Sequence, residues 1–124
     1  MNAYNAAPFP IHIRVPQSNF RPEERALIRA KLTRRLGKFA QSIERVSLRT
    51  EDVNGPRGGV DCVCRIKVVL RGLPSVVLEK QDAFMNAAVD LALAGVERGV
   101  RRALTRRRAR PLRRMPSPTP AELR

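Results

Sequence analysis

The chain has no tryptophan, one tyrosine, one histidine and two cysteines among 124 residues. Each shortage removes a class of function. His12 has no second histidine to share a metal or a proton relay, and Cys62 and Cys64 are too few to complete a tetrahedral metal site. The two cysteines are separated by one residue, so on a strand they point to the same side. A bond between them would need severe distortion. They read as reduced core residues, which suits a reducing compartment. Glu51, Asp52 and Asp61 flank a turn-rich loop and read as turn or cap residues. No nucleophile and base, and no ligand cluster, can be assembled from this inventory. The chain is therefore expected to be no enzyme and to need no cofactor or small-molecule substrate.

Long hydrophobic runs are missing too. The longest is Leu91-Ala92-Leu93-Ala94-Gly95-Val96, far short of the roughly 20 residues that span a bilayer. The stretch from Met1 to Val15 has no cationic start and no apolar segment, and Pro8 and Pro10 interrupt it. No signal peptide is expected, and the reading is a cytoplasmic protein. The aromatics Tyr4, Phe9, Phe20, Phe39 and Phe84 do not cluster on one strand, so a base-stacking platform for single-stranded nucleic acid is excluded.

Negative charge is the other scarcity. There are 25 Lys and Arg against 11 Asp and Glu, a formal net charge of +14. Hydrophobic content is nevertheless 43%, enough for one core in a domain of ordinary size. A surplus of this magnitude on a small surface attracts a polyanion, most often a nucleic-acid backbone.

The pattern predicts an α+β fold, in the order β-α-β-β-β-α. Residues 1–10 form a leader without period. Ile11-His12-Ile13-Arg14-Val15 alternates as a half-buried strand. Pro22 suits the first turn of a helix, and Glu23 and Glu24 place negative charge at the positive end of its dipole. Ile28, Leu32, Leu36, Phe39 and Ile43 then recur at helical spacing, with Lys31, Arg34 and Lys38 opposite and Arg35 nearer the edge. Val46, Leu48 and Thr50 mark a second strand. Asn54-Gly55-Pro56-Arg57-Gly58-Gly59 is dense in turn residues.

In the clearest strand, Val60, Cys62, Cys64, Ile66, Val68 and Leu70 face one way. Asp61, Arg65, Lys67 and Arg71 face the other, with Val63 and Val69 among them. Gly72 to Pro74 turns the chain, and Ser75 to Lys80 makes a short fourth strand with Val76 and Leu78 inward. Asp82 is placed to cap a second helix, whose stripe is Met85, Val89, Leu93, Val96, Val100 and Leu104. Pro111 is expected to end it. The domain is expected over 11–108, with a disordered, basic, Pro-rich tail at 109–124. Each helix has one apolar stripe, so both must cover the same face of a four-stranded mixed sheet. The first two strands run parallel through a right-handed crossover.

The charge is unevenly spread along this order. Residues 21–43 hold seven basic and two acidic side chains and residues 83–124 hold ten and three, while residues 44–82 hold seven and six. The helices and tail therefore carry nearly all of the excess. Their outer faces look cationic without matching acids, with Lys31, Arg34, Arg35 and Lys38 on one helix and Arg98, Arg101 and Arg102 on the other. Arginine predominates, and its planar fork grips phosphate in two-pronged fashion. Arg106 and Arg107 extend the series into the basic run beyond. Arg57, in the Gly-rich loop, is placed to touch RNA or a protein partner, or only to shape the turn. A membrane is a poor fit, because the second helix's apolar stripe is needed for the core. The implied ligand is gripped by backbone and shape.

Ala87-Ala88-Val89-Asp90, followed by Glu97-Arg98 and Val100-Arg101-Arg102, resembles the ribosome hibernation-promoting factor family. That family is also known as ribosome-associated inhibitor or sigma-54 modulation protein. Asp52-Val53-Asn54-Gly55-Pro56-Arg57-Gly58-Gly59-Val60-Asp61, with Cys62 next, is similar to a small subgroup of it. The resemblance spans roughly residues 10–108 and is to the short form, without the second domain that pairs ribosomes. It implies a bacterial cytoplasmic protein that binds ribosomal RNA of the small ribosomal subunit. Such a protein occludes the channel for messenger and transfer RNA and inhibits translation under stress or slow growth. The matching contact residues are Arg98, Arg101 and Arg102, with Lys31, Arg34, Arg35 and Lys38. Two other readings stay open: a protein-binding transcriptional regulator, and a general double-stranded nucleic-acid module.

Overall fold

The structure is a computed structural model that describes residues 7–15, 22–52 and 61–113, with side chains described as far as Arg107. The described strands and α-helices are β1 (Ile11–Arg14), α1 (Pro22–Leu36), β2 (Ile43–Asp52), β3 (Cys62–Leu70), β4 (Val76–Asp82) and α2 (Met85–Arg113). The sheet is four-stranded in the order β1-β2-β3-β4. β1 runs parallel to β2, with Ile11 beside Val46 and Ile13 beside Leu48. β2 to β3 and β3 to β4 are antiparallel. The predicted order, mixed sheet and α+β class are all present.

One core joins the two helices to one face of the sheet. Ile28, Leu32 and Leu36 of α1 meet Val89, Leu93, Val96 and Val100 of α2 over Val46, Leu48, Cys64, Ile66 and Val68. The alternation of β3 explains its side of the contact: Cys62, Cys64, Ile66, Val68 and Leu70 are all buried while Arg65 and Lys67 are exposed. Val63 departs from it, being buried although it points to the other face. α2 lies close to β4 because its contact positions are small. A side chain added at Gly99 would come within 2.8 Å of a Val76 methyl, and one at Gly95 within 3.0 Å of Leu78.

Four local expectations are corrected. α1 stops at Leu36 and a 3-10 helix, Gly37–Ser42, follows, so Lys38 and Phe39 lie beyond α1 and Ile43 opens β2. The step of three from Leu36 to Phe39 suits a 3-10 turn as well as an α-helix, and Gly37 weakens the α alternative. Phe9 is buried in the core, not part of a featureless leader. The Val46 N–H donates to the Pro10 carbonyl at 3.0 Å, which carries the parallel pairing beyond β1. Asp82 accepts from the Phe84 N–H at 3.1 Å, a turn just ahead of α2 and not a cap inside its first turn. Finally, α2 continues through Pro111 to Arg113. A proline this near a helix end removes one donor and leaves only a short stretch to be lost with it. Residues 1–6 of the expected leader, Arg57 with its loop, and residues 114–124 of the expected tail lie outside the described residues.

Candidate nucleic-acid interface

α1 and α2 lie side by side and point the same way. Two ion pairs show this: Lys31 with Asp90 at 2.9 Å, and Lys38 with Glu97 at 2.5 Å. Both pairs step forward together by seven residues, two helical turns on α2. The outer faces of the helices thus form one surface, as the amphipathic stripes require.

Glu97 organises its centre. It accepts from Arg35 at 2.7 Å and from Lys38, and Arg101, one turn further along α2, reaches it at 3.2 Å. The hydrogen bond from Lys38 and then that from Arg35 hold its carboxyl down to about 2, against a smaller upward push from burial. The Phe39 ring sits beneath the same cations, with Lys38 Nζ 5.6 Å and the Arg101 guanidinium 5.7 Å from its centroid. Both distances are within the range of cation–π attraction.

This corrects the expectation of a surface without matching acids. Lys31, Arg35, Lys38 and Arg101 are each paired with an acid across or along the helices. They are not buried by it: Arg35, Lys38 and Arg101 keep 43%, 50% and 53% of their side-chain surface exposed. Half-exposed cations of this kind can still reach a phosphate. The charge pattern of α2 held the signal for the missed acids. Asp90 and Glu97 are seven apart, as are Lys31 and Lys38, so two turns of α2 match the stretch from α1 into the 3-10 helix.

The remaining expected contacts fall into two groups. Arg34, Arg98, Arg102 and Arg106 are exposed, and none has an acid partner among the described residues. Arg98, Arg102 and Arg106 follow one another at steps of four and so form a row along α2. Arg102 and Arg106 also line a groove of about 330 Å³ with Leu73, Pro74 and Val76, at the edge where α2 passes the β3–β4 turn. Arg107 is engaged otherwise. It donates to the Arg71 carbonyl at 3.0 Å and holds the turn in which Gly72 takes a φ of +72°.

The described residues hold no group of three or more His, Cys, Asp or Glu placed to bind a metal ion. None of their helices is long and apolar enough to cross a membrane. Burial pushes the Cys64 thiol up to about 12, and burial with nearby Asp52, Asp61 and Asp82 raises that of Cys62. Both cysteines are free and buried, as core residues should be.

A sheet of this order, with two parallel helices on one side, defines the chain as a small α+β domain with a cationic helical face. The same fold occurs in a ribosomal subunit interface protein from Coxiella burnetii, at 19% identity and a TM-score of 0.60, over 81% of this chain and 98% of that one. It occurs again in the N-terminal domain of Protein Y from Thermus thermophilus, at 21% identity and a TM-score of 0.61, over 75% of this chain and 97% of that one. No protein-family model and no curated protein matches the sequence.

Proposed function

We propose that this protein is a hibernation factor that binds ribosomal RNA of the small ribosomal subunit through its helical face. In this reading it inhibits translation by occupying the channel for messenger and transfer RNA, with no bond made or broken. The observation that carries the reading is the row Arg98, Arg102 and Arg106, exposed and without acid partners among the described residues. Beside it stand half-exposed Arg35, Lys38 and Arg101, already oriented by Glu97. Orientation lowers the entropy lost when a long side chain meets a phosphate. The fold shared with the ribosomal subunit interface protein of Coxiella supports ribosome association as the setting.

The test is co-sedimentation of the purified chain with small ribosomal subunits on a density gradient. The wild-type protein should travel with the subunit at moderate salt and dissociate as salt rises, since phosphate contacts release counterions. Changing Arg98 and Arg102 together to Glu should abolish co-sedimentation and leave thermal unfolding nearly unchanged, because exposed charges contribute little to stability. Full retention of that variant on the subunit would remove the helical face as the contact.

A further inference from the structure

The helices cover one face of the sheet, and the opposite face carries a second concentration of positive charge that the helix-based reading leaves unused. Pairing across the strands puts Arg14 beside Arg49 and Arg49 beside Arg65. Three arginines thus stand in one row over β1, β2 and β3. With strands about 4.8 Å apart, the row spans roughly 10 Å. The adjacent row is His12, Ser47 and Lys67. These six side chains, with Leu48, line an open hollow of about 370 Å³ that has no acid among its described lining residues.

Sheet stability alone disfavours this arrangement. Like charges directly opposite one another on neighbouring strands are destabilising, and here the repulsion is repeated twice in one row. The nearest compensation by register is Glu79, opposite Arg65 on β4, yet no ion pair joins them. None of Arg14, Arg49, Arg65 and Lys67 forms an ion pair among the described residues. A concave surface with four unneutralised cations is complementary to an anion, and its length exceeds a single phosphate. Its described lining residues include no aromatic side chain on which a base could stack. The ligand that fits is a run of backbone phosphates.

We infer that the open face of the sheet is a second RNA-backbone site, so that one chain holds two RNA segments, one on each broad side. The inference rests on the proposed RNA-binding function and adds a second contact surface to it. The domain then acts as a wedge between two RNA walls, which a one-sided binder cannot do.

The test uses the full chain and a short RNA duplex supplied in donor-labelled and acceptor-labelled forms. Wild-type protein should bring the two labels together and bind two duplexes per chain by sedimentation. Changing Arg14, Arg49 and Arg65 together to Gln should abolish energy transfer and leave one duplex bound. It should also lower the salt slope of binding by about 2 to 3, from the loss of three phosphate contacts. The melting temperature of this variant should hold or rise, since repulsion is removed. A lower one would mark the three arginines as structural and overturn the inference.

A variant with Arg34, Arg98 and Arg102 changed to Gln should likewise keep one duplex, held on the sheet. If the sheet variant still bridges duplexes with an unchanged salt slope, the second site does not exist and the helical reading stands. If the helix variant keeps subunit binding while the sheet variant loses it, the helical reading fails and the sheet is the primary surface. If wild-type protein binds no duplex, the second site falls, and the helical reading stands or falls separately by co-sedimentation with the subunit.

Discussion

Arg35 of α1 and Glu97 of α2 are joined by a hydrogen bond of 2.7 Å, and Glu97 also accepts from Lys38 and Arg101. One carboxylate, 13% exposed, thereby serves three cations. It ties the parallel helices together on the surface proposed to meet RNA. It also cancels one charge on that surface, so its contributions to stability and to binding are opposed.

Glu97→Gln separates them. Each partner is about half exposed, and exposed pairs are worth about 0.2–1 kcal/mol each. The variant should lose roughly 1–2 kcal/mol, a fall in Tm of about 5–10 °C for a domain of this size. RNA affinity at low salt should rise, because Arg35, Lys38 and Arg101 no longer share a neighbouring anion. Calorimetry and a binding isotherm on the same sample check both halves; a variant with weaker RNA binding would mean that Glu97 acts chiefly by orienting the cations.

The same group gives an acid signature. Its folded value of about 2 lies below the ordinary 4.5. The folded state therefore gives up this proton more readily than the unfolded chain. The stabilisation is complete above about pH 4.5 and disappears as pH falls through about 2. The Tm difference between wild type and Glu97→Gln should be constant near neutrality and shrink across that window. A difference that does not change down to pH 2 would show that the charge of Glu97 is not what joins the helices.

Where periodicity alone decides an element, the chain is transparent. The alternating run Cys62 to Leu70 and the stripe Met85 to Leu104 place nearly every core side chain of β3 and α2, because burying an apolar face leaves no second solution. The end of α1 is ambiguous for a physical reason: Leu36, Phe39 and Ile43 satisfy both a continuing helix and a 3-10 turn leading into a strand. Side-chain partnerships are less visible still. Arg35, Lys38 and Arg101 appear along the sequence as surplus charge, and only the parallel packing of α1 on α2 brings Glu97 to all three. The row Arg14, Arg49 and Arg65 is scattered over three strands, and it forms only when the register is set.

The cysteines should behave as inert core. With Cys64 at 0% exposure and its thiol pushed up to about 12, almost no thiolate exists near neutral pH. Iodoacetamide at pH 8 should leave Cys64 unmodified in the folded protein and alkylate it on addition of denaturant. Cys62, 5% exposed and raised by burial and by Asp52, Asp61 and Asp82, should follow the same course. Mass spectrometry after a timed reaction reads the outcome directly. Rapid native labelling at Cys64 would show that the β3–α2 contact opens readily.

Gly99 sets how closely α2 can approach β4, and two effects of opposite sign meet there. Replacing a helical glycine by alanine is worth about 0.8–1 kcal/mol through helix propensity. The added carbon, however, would stand 2.8 Å from a Val76 methyl. Val76 is short and β-branched, so it cannot swing away as a long side chain would. Overpacking of this kind costs about 1–3 kcal/mol. Gly99→Ala should therefore be neutral to destabilising despite its better propensity, and Gly99→Val clearly destabilising, with Tm lowered by roughly 5–15 °C. Shortening the opposing side chain checks the mechanism. Val76→Ala combined with Gly99→Ala should recover most of the loss seen for Gly99→Ala alone, since the methyl that clashes is gone. If the double variant is as unstable as the sum of the two single ones, the close approach of α2 to β4 is not what selects glycine at this position.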